Sequence, residues 1–200
     1  MTYGELKTRV LMLLNQYSVA GSTVAASYNN QQDYINRIAQ LANSAINEIA
    51  TTTKKIPALL ELDPAEGTEV GKALRFTLPS DFYQFRTGDS FQIDAEGRLL
   101  HTHMYRLMSK RYVMIPRREM SEGGRFVIGY YRYPVFLPPK PEDSTVLDND
   151  PETHDAVAFY VAAYLVIQDD PFHYASFYNE YRSRLEEMGP GVSAEFVPMD

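Results

Sequence analysis

The chain has 200 residues, 44% of them hydrophobic, and a formal net charge of -7, which is enough to bury one substantial core and predicts a single domain over residues 1–200. It contains no cysteine, so disulfides, a thiolate nucleophile and a cysteine metal site are excluded. No stretch approaches the roughly 20 apolar residues that span a bilayer, and no basic-then-apolar leader opens the chain, which reads as a protein made and used in the cytoplasm.

The charge is uneven along the chain. Residues 1–60 carry five Lys/Arg against three Asp/Glu, residues 61–141 twelve against ten, and residues 142–200 two against thirteen. An acidic terminal third suits a basic partner surface, or an aqueous lumen through which DNA slides without sticking. A solvated face that keeps the protein soluble explains it equally.

In chain order, Thr2 and Glu5 have capping-box spacing ahead of Leu6, Val10, Leu13, Leu14 and Tyr17, which predicts a first helix over residues 3–17. Residues 18–32 are small and polar and read as a long surface loop with a contact role. Ile35, Ile38, Ala42, Ala45, Ile46 and Ile49 form a stripe spaced by three and four, predicting a long helix over residues 33–52 that Pro57 follows. Ala39, Ala42 and Ala45 would let another helix approach closely. The period then changes, and residues 73–78, 91–93, 97–100, 112–115 and 125–133 read as short strands, with a turn at residues 121–124. Pro138-Pro139-Lys140-Pro141 is a stiff connector back to helices.

Residues 148–188 then contain two helix starts, Asp150-Pro151 and Asp170-Pro171, in each of which a carboxylate precedes a proline. Val157, Tyr160, Val161, Tyr164 and Leu165, then Phe172, Ala175, Tyr178, Tyr181, Leu185 and Met188, recur at helical spacing and predict a helical hairpin. Gly189-Pro190-Gly191 stops it. The closing residues carry Val192, Phe196, Val197 and Met199 without a core of their own, which makes them a candidate docking arm. The predicted fold is α+β and mainly α: an antiparallel helical bundle (residues 1–58 and 142–188), a small inserted antiparallel sheet (59–141) and an extended arm (189–200).

Motifs for catalysis are missing: there is no Gly-rich phosphate loop, no His-Glu-x-x-His helix and no Gly-x-Ser-x-Gly elbow. His101 and His103 could share an ion on one strand face, but two ligands do not make a site, and His154 or His173 would have to join them. Asp169-Asp170 sits at a helix cap and Glu186-Glu187 on a solvent-facing end, not across a cleft as acid/base chemistry needs. No catalytic, cofactor or metal residue is therefore assigned.

Lys110-Arg111 and Arg117-Arg118, with Tyr105, Arg106 and Tyr112, interleave cations and rings as nucleic-acid binders do, and also as a subunit interface facing a neighbour's acidic third would. On one strand, Tyr131 and Tyr133 share a face and Tyr130 takes the other, so both faces carry rings suited to contact. Two readings follow: a subunit interface of Lys110, Arg111, Arg117, Arg118, Tyr131 and Tyr133, and alternatively a nucleic-acid-binding module over residues 105–118.

The element order resembles the head-to-tail adaptor proteins of tailed bacteriophages. The features that carry it are the N-terminal helix, the Ile/Ala helix near Asp33-Tyr34-Ile35-Asn36, the β segment with Arg75-Phe76-Thr77-Leu78-Pro79-Ser80-Asp81-Phe82, and the aromatic hairpin from His154 to Met188. The resemblance implies a structural virion protein of the neck, assembled in the host cytoplasm, with no enzymatic activity. It implies a homo-oligomeric ring of about a dozen copies beneath the portal protein. Such a ring extends the DNA channel, passes DNA without specific binding and receives the tail or next neck protein. It also implies that the C-terminal arm docks on the portal.

Overall fold

The computed structural model describes residues 1–17, 28–101, 106–108, 111–120 and 123–189. These fall into two compact units, a helical one of residues 1–55 and 134–189 and a β one of residues 56–133.

The helical unit is organised by its third helix. α1 is Tyr3–Tyr17, α2 Tyr28–Thr52, α3 His154–Val166 and α4 Pro171–Glu187. From Ala156 to Ala163 every side chain of α3 is buried, because the segment is apolar around its whole circumference and is stable only when covered on all sides. The others each offer one stripe to the same core: Leu6 and Val10 from α1, Ile38, Ala42, Ala45, Ile46 and Ile49 from α2, and Phe177, Tyr181 and Leu185 from α4.

The polar starts of these helices follow from their sequence. At α1 the capping box is closed both ways, the Thr2 amide donating to Glu5 Oε2 at 2.8 Å and the Glu5 amide to Thr2 Oγ1 at 3.3 Å. The Asp170 carboxylate accepts from the His173 amide at 3.0 Å with Pro171 in the first turn of α4. The first Asp-Pro pair works one turn early. Asp150 accepts from the Glu152 amide at 3.0 Å, and Pro151–Thr153 form a 3-10 turn before α3 begins. The predicted stripe of α4 is corrected at its start: Phe172 is 79% exposed, Ala175 faces solvent, and Phe177 takes the core position instead.

Residues 134–148 return along this unit as an irregular strap. Thr2 and Val146 form an antiparallel bridge, with the Tyr3 amide donating to Thr145 O at 2.8 Å and the Gly4 amide to Asp143 O at 3.0 Å. Further back, Asn43 of α2 clamps one residue of the strap from both sides, its Nδ2 donating to Leu137 O at 2.9 Å and its Oδ1 accepting from Leu137 N at 2.8 Å.

The β unit overturns the predicted architecture. Its strands are β1 Ile56–Leu62, β2 Thr68–Val70, β3 Ala73–Thr77, β4 Phe82–Ile93, β5 Leu99–His101, β6 Arg106–Met108, β7 Tyr112–Pro116 and β8 Arg125–Arg132. They form a curled antiparallel sheet in two four-stranded runs, β1-β8-β4-β5 and β2-β3-β7-β6. With 45% helix, 28% strand and four helices among the described residues, this is not a helical bundle with a small inserted sheet. Leu62, Phe126, Ile128 and Tyr130 from one run and Leu74, Phe76, Val113 and Ile115 from the other close a core of their own. The sheet looks small in the sequence for two reasons. Pro57 follows directly on the end of a helix and hides β1, although Ala58, Leu60 and Leu62 alternate inward. The 12-residue β4 is interrupted by Gly88-Asp89.

That interruption is a bulge. Phe85 stands opposite Tyr130 and Ser90 opposite Ile128, so the four residues 86–89 fall between partners that only Gly129 separates. Asp89 lies on the glycine: a β-carbon at position 129 would be 2.6 Å from that of Asp89. Arg86 pairs with Asp89 at 2.7 Å and covers the Tyr131 ring at 5.7 Å.

Candidate interaction surfaces

The titratable groups singled out in the sequence are used structurally. His154 Nδ1 lies 3.0 Å from the Met1 ammonium. Burial first, and that ammonium second, hold its pKa below the ordinary histidine value of 6.5. An unfolded chain therefore takes up a proton before the folded one does. The His154 contribution to stability is fully present above about pH 6.5 and is lost as the pH falls below it. The melting temperature is expected to decline from pH 7.5 to pH 5.5 and to decline less in a His154→Gln variant; parallel curves would exclude the linkage. His173 is paired with Asp170 of its own helix start, and the cap bonds from His173 hold the Asp170 carboxyl below the usual carboxylate range. The side chains of His101 and His103 lie outside the described residues. Among the described residues no group of three or more His, Asp or Glu could hold a metal ion.

The acidic terminal third is largely occupied. Asp143 pairs with Lys7 at 2.7 Å, Asp155 with Arg9 at 3.0 Å, Glu152 with Lys54 at 2.8 Å, and Glu180 with Arg184 at 2.9 Å. Asp148 accepts from the Val135 amide at 2.6 Å, and Asp169 from the Tyr34 hydroxyl at 3.2 Å. The unlike charges of the first and last thirds thus meet inside one unit. Each exposed pair stabilises by at most about 1 kcal/mol, so the effect is to place the strap and the helix ends more than to hold the core.

A tyrosine cluster seals the α3–α4 seam. Tyr160 lies 4.5 Å from Tyr164 and 5.2 Å from Tyr181 between ring centroids, and Tyr174 stacks on Tyr178 at 5.6 Å. The Tyr181 hydroxyl donates to Glu48 Oε1 at 2.9 Å. Burial pushes the Tyr164 and Tyr181 hydroxyls up from their ordinary value, more than any neighbour does, so they remain hydrogen-bond donors and supply no base.

The described members of the proposed interface lie at both ends of β7 and at the end of β8. Arg111 precedes β7 and Arg117 follows it, so the backbones of these two arginines stand about 20 Å apart at a strand rise of roughly 3.3 Å per residue. Arg117 is paired with Glu69 and Arg118 with Glu119. Tyr131 carries Arg86 on its ring, and Tyr133 is 38% exposed, 5.1 Å from Tyr83. Tyr130 turns inward to the core, as its parity predicts. Lys110 and the arm residues Val192, Phe196, Val197 and Met199 lie outside the described residues.

What the sequence reading missed are exposed apolar side chains on held backbone. Val135 and Phe136 are 68% and 53% exposed, immediately before the clamped Leu137. Leu59 on β1, Leu99 and Leu100 on β5, and Phe172 at the start of α4 are exposed as well. The signal available for the first pair was two bulky residues ahead of a proline run, a place where no regular element can bury both.

Exposed apolar side chains on held backbone are suited to contacts with other proteins. Residues 1–196 match the SU10 adaptor protein family. The chain belongs to that family, a phage head-to-tail adaptor family, and is thus a structural component of the virion that interacts with other phage head or tail proteins. No curated protein is matched by the sequence.

Proposed function

We propose that the protein is the subunit of a homo-oligomeric ring of about twelve copies, the closed symmetry that one repeated head-to-tail contact generates. The ring sits under the portal protein, extends the DNA channel and docks the tail or the next neck component, while DNA passes through without specific binding. The observation that carries this reading is the family match over residues 1–196, nearly the whole chain. Val192, Phe196, Val197 and Met199 form the arm that docks on the portal. Lys110, Arg111, Arg117, Arg118, Tyr131 and Tyr133 contribute to contacts between subunits. Assembly takes place in the host cytoplasm.

Electron microscopy of the purified protein mixed with its portal is expected to show rings stacked on portal particles. Particles with neither a ring nor a portal complex would overturn the reading.

A further inference from the structure

Among the described residues, the first strand run ends on both sides in an unpaired edge. In the order β1-β8-β4-β5 every neighbouring pair is antiparallel, so β1 and β5 point in opposite directions. Neither β1 nor β5 has a backbone partner on its outer side among the described residues. Pro57 has no N–H and fits the ladder only where its nitrogen faces away from β8; the same parity turns the amides of Leu59 and Glu61 to the open edge. A seven-residue edge with free amides and an exposed leucine is a template for another strand.

We propose that β5 of a second copy of this chain docks on β1, so that the sheet runs on from subunit to subunit. Three observations select this occupant. First, an even number of alternating strands means that a copy rotated about an axis along the strands, without inversion, presents β5 antiparallel to β1. The next contact repeats the first, which is the heterologous geometry that closes a ring. Second, the faces agree. Leu59 lies opposite Gly129 on β8, on the face away from the core. Leu99 pairs with Ile93, which pairs with Arg125, and so lies on that same outer face. Leu100 pairs with Gln92, which pairs with Phe126, and lies on the core side with Leu60 and Leu62. Leu99 at 57% exposure, Leu100 at 46% and Leu59 at 61% would each gain an apolar neighbour. Third, antiparallel docking brings the start of β5, with its exposed Arg98, to the end of β1, where Glu61, paired with Arg125 at 3.0 Å, and Asp63, which accepts from the Ala65 amide at 2.8 Å, are exposed and each keep a carboxylate oxygen to offer a second cation.

This inference rests on the ring reading, and the test separates the two. Leu59→Asp blocks the β1 edge and Leu99→Asp the β5 edge; both sites are exposed, so each variant is expected to keep the wild-type melting temperature. Wild type, each variant and a one-to-one mixture are compared by analytical ultracentrifugation and electron microscopy, each with and without the portal protein. The expected result is rings from wild type, monomers from either variant alone, and heterodimers from the mixture, because one intact edge of each kind remains. Rings from both variants would overturn the edge contact and leave the ring reading standing. A wild type that forms no ring even with the portal would overturn both.

Discussion

Replacing Phe177 with alanine is expected to destabilise the helical unit by about 3–5 kcal/mol, the range for emptying a buried aromatic site. Phe177 is 1% exposed on the inner face of α4, with its ring 6.4 Å from that of Phe159 on α3. A cavity opened there cannot collapse easily. The wall opposite is α3, which is itself buried on every side and already backed by α1 and α2, so a shift toward the void would strip contacts from two other helices. Helical circular dichroism during thermal or urea unfolding is the measurement. A loss below about 1 kcal/mol would mean that the α3–α4 seam is not packed as described.

In the β unit the largest effect is expected at Gly129. Gly129→Ala should cost about 1–3 kcal/mol, the range for overpacking, and Gly129→Val more. The cause is a contact and not backbone strain, because Gly129 is absent from the glycines with positive φ. A β-carbon there meets the Asp89 β-carbon at 2.6 Å and its carboxylate at 3.1 Å, so the bulge must lift off β8. Arg86 would then lose its hold on Asp89 and its seat over Tyr131 together. Melting curves and near-ultraviolet tyrosine dichroism report this, and an unchanged midpoint for both variants would show that the bulge does not lie on the strand.

The helices were legible because their signals are local. A capping box, two Asp-Pro starts and a stripe repeating every three or four residues each act within one or two turns, and α1 ends where its pattern does. α3 was legible as a helix but not as the centre of its unit, since an apolar circumference says that something covers it and not what. The sheet was under-read because its evidence is long-range. β4 becomes one 12-residue strand only when β8 supplies a glycine for Asp89 to rest on, and a glycine inside the strand pattern of residues 125–133 was the one hint of that close approach. The basic pairs were legible as flanking a strand, β7, but not their partners: Glu69 and Glu119, which pair with Arg117 and Arg118, are supplied by another strand and by a 3-10 turn. Phe172 was counted in the helical period of α4, but it belongs to that helix's first turn and is exposed there.

The clamp on Leu137 has a kinetic meaning. Both of its backbone bonds end on one amide side chain, but freeing Val135 and Phe136 also requires breaking the Asp148 bond to the Val135 amide and withdrawing the buried Leu137 side chain from the core, so release is a concerted step. Two exposed apolar side chains are thus mounted on backbone that is already fixed, so a partner that covers them has little ordering entropy to offset.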